Sequence, residues 1–196
     1  MYFFTMTHET LDYAINKYSP NLSLDARSDL ARLGQEVFLE KGACLFSRNA
    51  FDDYEYILLK GIARTYLPNM EGTEITLSFF EEGMVLPPYV TRTNNQRSLL
   101  FCDAITDCRL VRLGATEFER LMIDNLEIRN FGNSVLRVEL QNKVLKEIRM
   151  ASWSAKERLQ QFRKDFTMLE NYVPHSMVAS YLGITNVTLS RLRKEG

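Results

Sequence analysis

Apolar positions along the chain change their period twice. Leu11, Ala14, Ile15 and Tyr18, then Leu24, Leu30 and Leu33, recur at helical spacing around a Ser19-Pro20 break. From Gln35 to about Leu113 the pattern shifts to short β runs at residues 36–40, 54–59, 62–67, 74–80, 99–105 and 108–113. Gly42, Gly61, Gly72 and Gly83 mark turns between them. Short strands about ten residues apart predict an antiparallel sandwich or jelly roll, with two hairpins in series across residues 54–80.

Beyond Gly114 the helical period returns. A short helix is expected near residues 116–122, and a long one from about Asn125 to Ala151. Ile128, Phe131, Val135, Val138 and Leu145 of the long helix fall at heptad a and d places, with Asn142 at an a position. Such a helix is about 40 Å long at roughly 1.5 Å per residue, and its apolar seam needs a partner. Either the chain's own β domain covers the seam, or a second copy pairs with it in a parallel dimer. Ser154-Ala-Lys-Glu157 then reads as a capping box that opens a helix running to about Leu169. Leu159, Phe162, Phe166 and Leu169 form its buried face, and Trp153 is poised to staple against it. A hinge is expected at residues 151–154.

Two short helical patterns close the chain. Val178, Ala179 and Leu182 stripe the first, Gly183 supplies the positive φ that ends it, and Thr185 stands where an N-cap belongs. Leu182, Ile184, Leu189 and Leu192 are assigned to core. Asn186, Val187, Ser190, Arg191 and Lys194 are left facing outward, as on the recognition helix of a helix-turn-helix. A helical hairpin completing a small core, with cations at its C-terminus, satisfies the same pattern.

Composition narrows the field. With 196 residues, 45% hydrophobic and 25% charged, the chain has the make-up of an ordinary globular protein. No apolar run approaches the roughly 20 residues that span a bilayer, and the opening residues lack a leader pattern, so a cytoplasmic location and no membrane contact are expected. From Ala151 onward seven basic residues face four acids, a balance of +3 that leaves −4 elsewhere within a net charge of −1. A basic tail on a weakly acidic body suits a DNA-binding regulator. Cys44, Cys102 and Cys108 are expected as buried free thiols. A metal-bearing jelly-roll enzyme needs clustered histidines. His8 and His175 stand apart and no nucleophile–base pair is evident, so no enzyme activity, metal or cofactor is expected.

A β-rich roll, a long helix and a helix-turn-helix, in this order, resemble the Crp/Fnr family of bacterial transcription regulators over nearly the whole chain. The hairpin rhythm of residues 38–83, with Gly42, Gly61 and Gly83, is similar to the family's cyclic-nucleotide-binding-like domain. Residues 180–193 resemble its Bacteroidetes members. The resemblance implies an α+β fold: a jelly-roll domain with flanking helices at 1–124, a dimerisation helix at 125–151 and a helix-turn-helix domain at 152–196. It also implies double-stranded DNA, a second copy of the chain and RNA polymerase as partners, with a small-molecule effector of unknown identity. Ile128, Phe131, Val135, Val138, Asn142 and Leu145 would carry dimerisation.

By the same resemblance Asn186, Val187 and Arg191 read bases, while Ser176, Thr185, Thr188, Ser190 and Lys194 complete the DNA face. Arg191 suits guanine and Asn186 adenine. Better-known members hold Arg and Glu at the positions of Asn186 and Val187, so an unfamiliar operator is expected. Arg97-Ser98 matches half of the family's phosphate-binding segment, but Pro87 and Pro88 stand where Gly and Glu are usual. Proline has no N–H to donate, which argues against the usual mode of cyclic AMP binding. The cysteines and histidines do not form an iron–sulfur or haem sensor. In the family a β-hairpin wing usually follows, and the sequence stops at Gly196 before any such segment. A ligand-binding or scaffolding module whose helix-turn-helix no longer binds DNA is the competing reading.

Overall fold

The computed structural model describes residues 8–194. The stretch read above for a leader, the His8 side chain and residues 195–196 lie outside the described residues. The elements are α1 (His8–Tyr18), α2 (Leu24–Leu33), β1 (Gln35–Leu39), β2 (Cys44–Phe46), β3 (Tyr54–Lys60), β4 (Ala63–Pro68) and β5 (Glu74–Phe80). A four-residue helix α3 (Tyr89–Arg92) precedes β6 (Thr93–Asn94), β7 (Arg97–Ser98), β8 (Phe101–Ala104) and β9 (Cys108–Gly114). Then follow α4 (Ala115–Asp124), α5 (Leu126–Ser152), α6 (Ala155–Asp165), α7 (His175–Leu182) and α8 (Asn186–Lys194). The mixed α+β class and the helix–strand–helix order agree with the period changes in the sequence.

The chain divides into two compact units, residues 1–63 with 80–139 and residues 64–79 with 140–196. In the first, β9 lies between β1 and β3, antiparallel to both. β2 pairs antiparallel with β8. β3 is buried on both faces, because alternate side chains enter two different cores. Ile57 and Leu59 join Leu11, Ile15, Leu30, Val111, Leu113 and Phe118. Tyr56 and Leu58 join Phe46, Leu86, Cys102 and Leu110 inside the roll. Gly61 turns the chain out of β3 at φ 98°, and a Cβ there would lie 2.4 Å from the Asp107 carbonyl oxygen, so only glycine fits.

The long helix corrects one expectation. Ile128, Phe131 and Val135 of α5 are buried in the first unit's core beside Leu11, Ile15 and Phe118. They are therefore covered within the subunit. Val138, Asn142 and Leu145 are exposed, together with Leu140, Val144 and Ile148. The fold thus covers the near stretch of the seam and leaves its far stretch exposed.

In the second unit β4 and β5 form a hairpin whose turn is held by the Asn69 side chain, which accepts the N–H groups of Glu71 and Thr73. Ser154 and Glu157 cap α6 reciprocally, as expected. That helix ends at Asp165 rather than near Leu169. Phe166 leaves the helical region at φ −136° and ψ 79°, and Leu169 reaches the core from a 3-10 turn at Leu169–Asn171. Cys102 and Cys108 are buried, and burial pushes both thiols up. Cys44 is exposed, against expectation, because it opens the short strand β2. No described helix is long and apolar enough to cross a membrane.

Candidate nucleic-acid interface

The turn between α7 and α8 follows from three residues. Gly183 adopts φ 65° and ψ 38°, and its N–H bonds to the Ser180 carbonyl at 3.1 Å. The Ile184 N–H reaches back to Ala179 O at 3.0 Å, closing the last turn of α7. Thr185 Oγ1 accepts the Thr188 N–H at 3.1 Å and so caps α8. Val178, Ala179, Leu182 and Leu189 are buried, while Ile184 and Leu192 are half-buried.

Asn186, Val187, Ser190, Arg191 and Lys194 share the exposed side of α8, with Val187 80% exposed. Ser176 and Thr185 are exposed near the two helix N-termini. Thr188 is half-buried, and its hydroxyl lies 3.0 Å from that of Thr185. Arg193, the remaining cation of the last turn, is held inward by Glu170 at 3.4 Å and by a contact with His175. Glu170 also accepts from Arg163 at 2.8 Å, and that bond holds its carboxyl below the usual range. Arg163 and Arg193 thus both turn towards Glu170 within the unit.

Contacts that the sequence did not reveal hold α7 in place. Arg158 of α6 donates Nε to the Leu182 carbonyl at 2.9 Å and a terminal nitrogen to Trp153 O at 2.6 Å. The Thr76 N–H donates to Ser180 Oγ at 3.1 Å. Tyr181 packs against Phe79, Phe162 and Phe166, with ring centroids 5.3–6.2 Å apart. Lys146 of α5 sits 3.9 Å above the Tyr181 ring and donates to Leu77 O at 2.5 Å. Burial pulls the Lys146 ammonium down to about 7, a tendency that the ring face opposes. Apart from Arg158 and Trp153, five residues apart, these partners are distant from one another in sequence, so no local signal announces them.

The expected effector residues lie in the first unit, where they are held apart. Arg97 and Ser98 form β7, joined to β6 by Asn95 and Gln96, both at positive φ. That is a two-residue hairpin turn. Arg97 is exposed and donates to Asn49 O at 2.7 Å; Ser98 is buried and donates its hydroxyl to Leu100 O at 2.8 Å. Pro88 starts α3, its carbonyl accepting the Thr91 N–H at 2.8 Å. Beneath this segment Arg92 is fully buried. It pairs with Asp52, donates Nε to Pro87 O at 2.9 Å and stacks 4.5 Å from the Phe46 ring. The segment's buried cation is therefore Arg92, already neutralised by Asp52. No group of three or more potential metal ligands occurs among the described residues.

Residues 36–125 match the cyclic nucleotide-binding domain family. No curated protein matches the sequence. FixK2 of Bradyrhizobium japonicum shares the fold with TM-score 0.71 and 18% identity, over 83% of each chain. A protein from Eubacterium rectale described as a transcriptional regulator of the Crp/Fnr family matches with TM-score 0.69 and 18% identity, over 90% of this chain and 84% of its own. The c-di-GMP responsive global regulator CLP of Xanthomonas campestris matches with TM-score 0.67 and 14% identity, over 86% of this chain and 88% of its own. Residues 36–125 are thus similar to the cyclic nucleotide-binding domain class, and the fold of the chain is similar to the folds of these three proteins.

Proposed function

We propose that the protein is a DNA-binding transcription regulator of Crp/Fnr type that acts as a homodimer. The observation that carries this reading is the α8 surface. Leu189 anchors the helix inward, and Asn186, Val187, Ser190 and Arg191 stand outward from a Thr185-capped N-terminus. Arg191 makes a bidentate contact to guanine, Asn186 reads adenine, and Val187 meets a thymine methyl. Ser176, Thr185, Thr188 and Lys194 position the phosphates, aided by the N-terminal N–H groups of α7 and α8. Two copies pair through the exposed stretch of α5 around Val138, Asn142 and Leu145. They present two α8 helices to half-sites about one helical turn apart. Effector control, where present, does not use cyclic AMP in the usual way, because Pro87 and Pro88 remove the donors that its phosphate needs.

Selection of duplexes from a random pool tests this reading. A pseudo-palindromic consensus, bound less tightly as salt rises, is the expected result. The pairing of Arg163 and Arg193 with Glu170 favours the second reading, a ligand-binding or scaffolding module without DNA affinity. Under that reading no sequence is enriched and no salt-dependent complex forms.

A further inference from the structure

An apolar cavity of about 80 Å³ lies in the first unit, lined by residues of β3, β9, α4 and α5 with Pro88 and Val90. Ile57, Leu113, Phe118, Phe131 and Val135 supply apolar walls. Gly132 lines the α5 side, where a Cβ would lie 2.4 Å from Met122 Sδ, so glycine there makes room for the Met122 side chain. Val90 is 67% exposed, so the cavity reaches the surface beside it. Among these apolar walls stands one carboxyl, that of Glu55. One of its oxygens accepts the Tyr89 N–H at 2.8 Å, the only hydrogen bond recorded for it among the described residues.

A carboxyl set into an apolar, surface-connected cavity is an expensive arrangement for packing alone. An apolar pocket with a single directed polar group is the usual form of a small-molecule site. Arg92 and Asp52 are the charged groups that act on Glu55, and they are paired with each other. The ionised carboxylate is therefore the uncompensated charge, and its complement is a cation.

We propose that this cavity binds a small primary amine, its alkyl or small-ring body among Ile57, Leu113, Phe131 and Val135 and its ammonium on Glu55. The site shares no lining residue with α8 and does not include Arg97, and it does not depend on DNA binding. Burial raises the Glu55 carboxyl to about 7, with the Tyr89 N–H and Arg92 pulling the other way and Asp52 adding to the rise. Amine affinity therefore falls as pH drops below about 7, where the carboxylate takes up a proton.

Heteronuclear NMR on the full chain, with n-butylammonium chloride as the probe, tests the site. At pH 8 the Gly132 and Val135 amides should shift saturably. n-Butanol should bind at least about ten-fold more weakly, the factor set by one charge-assisted hydrogen bond, and sodium butyrate should not bind. Glu55→Gln, whose amide oxygen can still accept the Tyr89 N–H, should remove the preference for amine over alcohol. Val90→Trp, a change at an exposed rim position, should block both ligands. Unchanged amide spectra elsewhere would show that the variants fold. Equal binding of amine and alcohol, undiminished amine binding by Glu55→Gln, or no saturable shift at all would each overturn the proposal.

Discussion

Arg158 donates its Nε to the carbonyl of Leu182 at 2.9 Å and so ties α6 to the last turn of α7. The guanidinium sits where a helix C-terminus leaves carbonyls without partners and favours positive charge. It fixes the end of α7 immediately before the Gly183 turn, and therefore the angle at which α8 leaves.

Arg158→Ala should destabilise the second unit by about 1.5–3 kcal/mol, the range for a hydrogen bond from a charged donor. Lys at this position should recover little, because a single ammonium cannot serve Leu182 and Trp153 in the same planar geometry. Chemical denaturation of the two variants against wild type measures the difference.

Gly61→Ala and Gly42→Ala place the same methyl on positive-φ backbone in two different surroundings. At Gly61 the new Cβ meets the Asp107 carbonyl oxygen at 2.4 Å, whereas nothing lies within 4 Å of one at Gly42. Gly42→Ala should cost about 1 kcal/mol from backbone strain alone, and Gly61→Ala distinctly more. Thermal melts of the pair separate strain from collision, and equal costs would refute the close approach.

Self-association should depend on the far half of α5. Leu140 and Val144 are 66% and 46% exposed, so lysine at either position meets no packing within the chain. Leu140→Lys and Val144→Lys should each shift sedimentation from dimer towards monomer with little change in melting temperature. Phe131→Lys should unfold the first unit instead, because Phe131 is 3% exposed within its core.

Two half-buried ionisable groups should give stability a minimum near pH 7. The Glu55 carboxyl is raised from 4.5 to about 7, so the native state holds the extra proton between these values and stability falls as pH rises through them. Lys146 is lowered from 10.5 to about 7, so the unfolded state holds the extra proton above 7 and stability rises from there towards pH 10. Glu55→Gln should flatten the lower limb and Lys146→Met the upper one, as read by urea denaturation across pH 5–10.

Features set by local backbone chemistry could be read from sequence. The Gly183–Thr185 turn needed only a positive φ followed by an N-cap, and the Ser154–Glu157 box only a spacing of three. The punctuation of the strands was legible because Gly42, Gly61, Gly72 and Gly83 each take positive φ, but their pairing was not. Of the two hairpins expected across residues 54–80 only β4–β5 forms, because β3 pairs with β9 instead of β4. The fate of the α5 seam was not legible, because Ile128 and Asn142 both hold a places, Phe131 and Leu145 both hold d places, and only the fold decides which of each pair is covered. Arg92 was missed for a related reason. Its partner Asp52 lies forty residues earlier, and nothing local distinguishes it from the exposed Arg97. Glu55 reads as one more polar residue of an alternating strand, and its setting arises from α4 and α5.

Binding of Arg191→Ala to a duplex chosen by the wild-type protein is the most direct test of the DNA-reading surface on α8. Affinity for the selected site should fall by about 1–3 kcal/mol while weak, salt-sensitive binding to random duplex persists. Undiminished, still sequence-selective binding by Arg191→Ala would contradict the assignment of α8 as the reading helix.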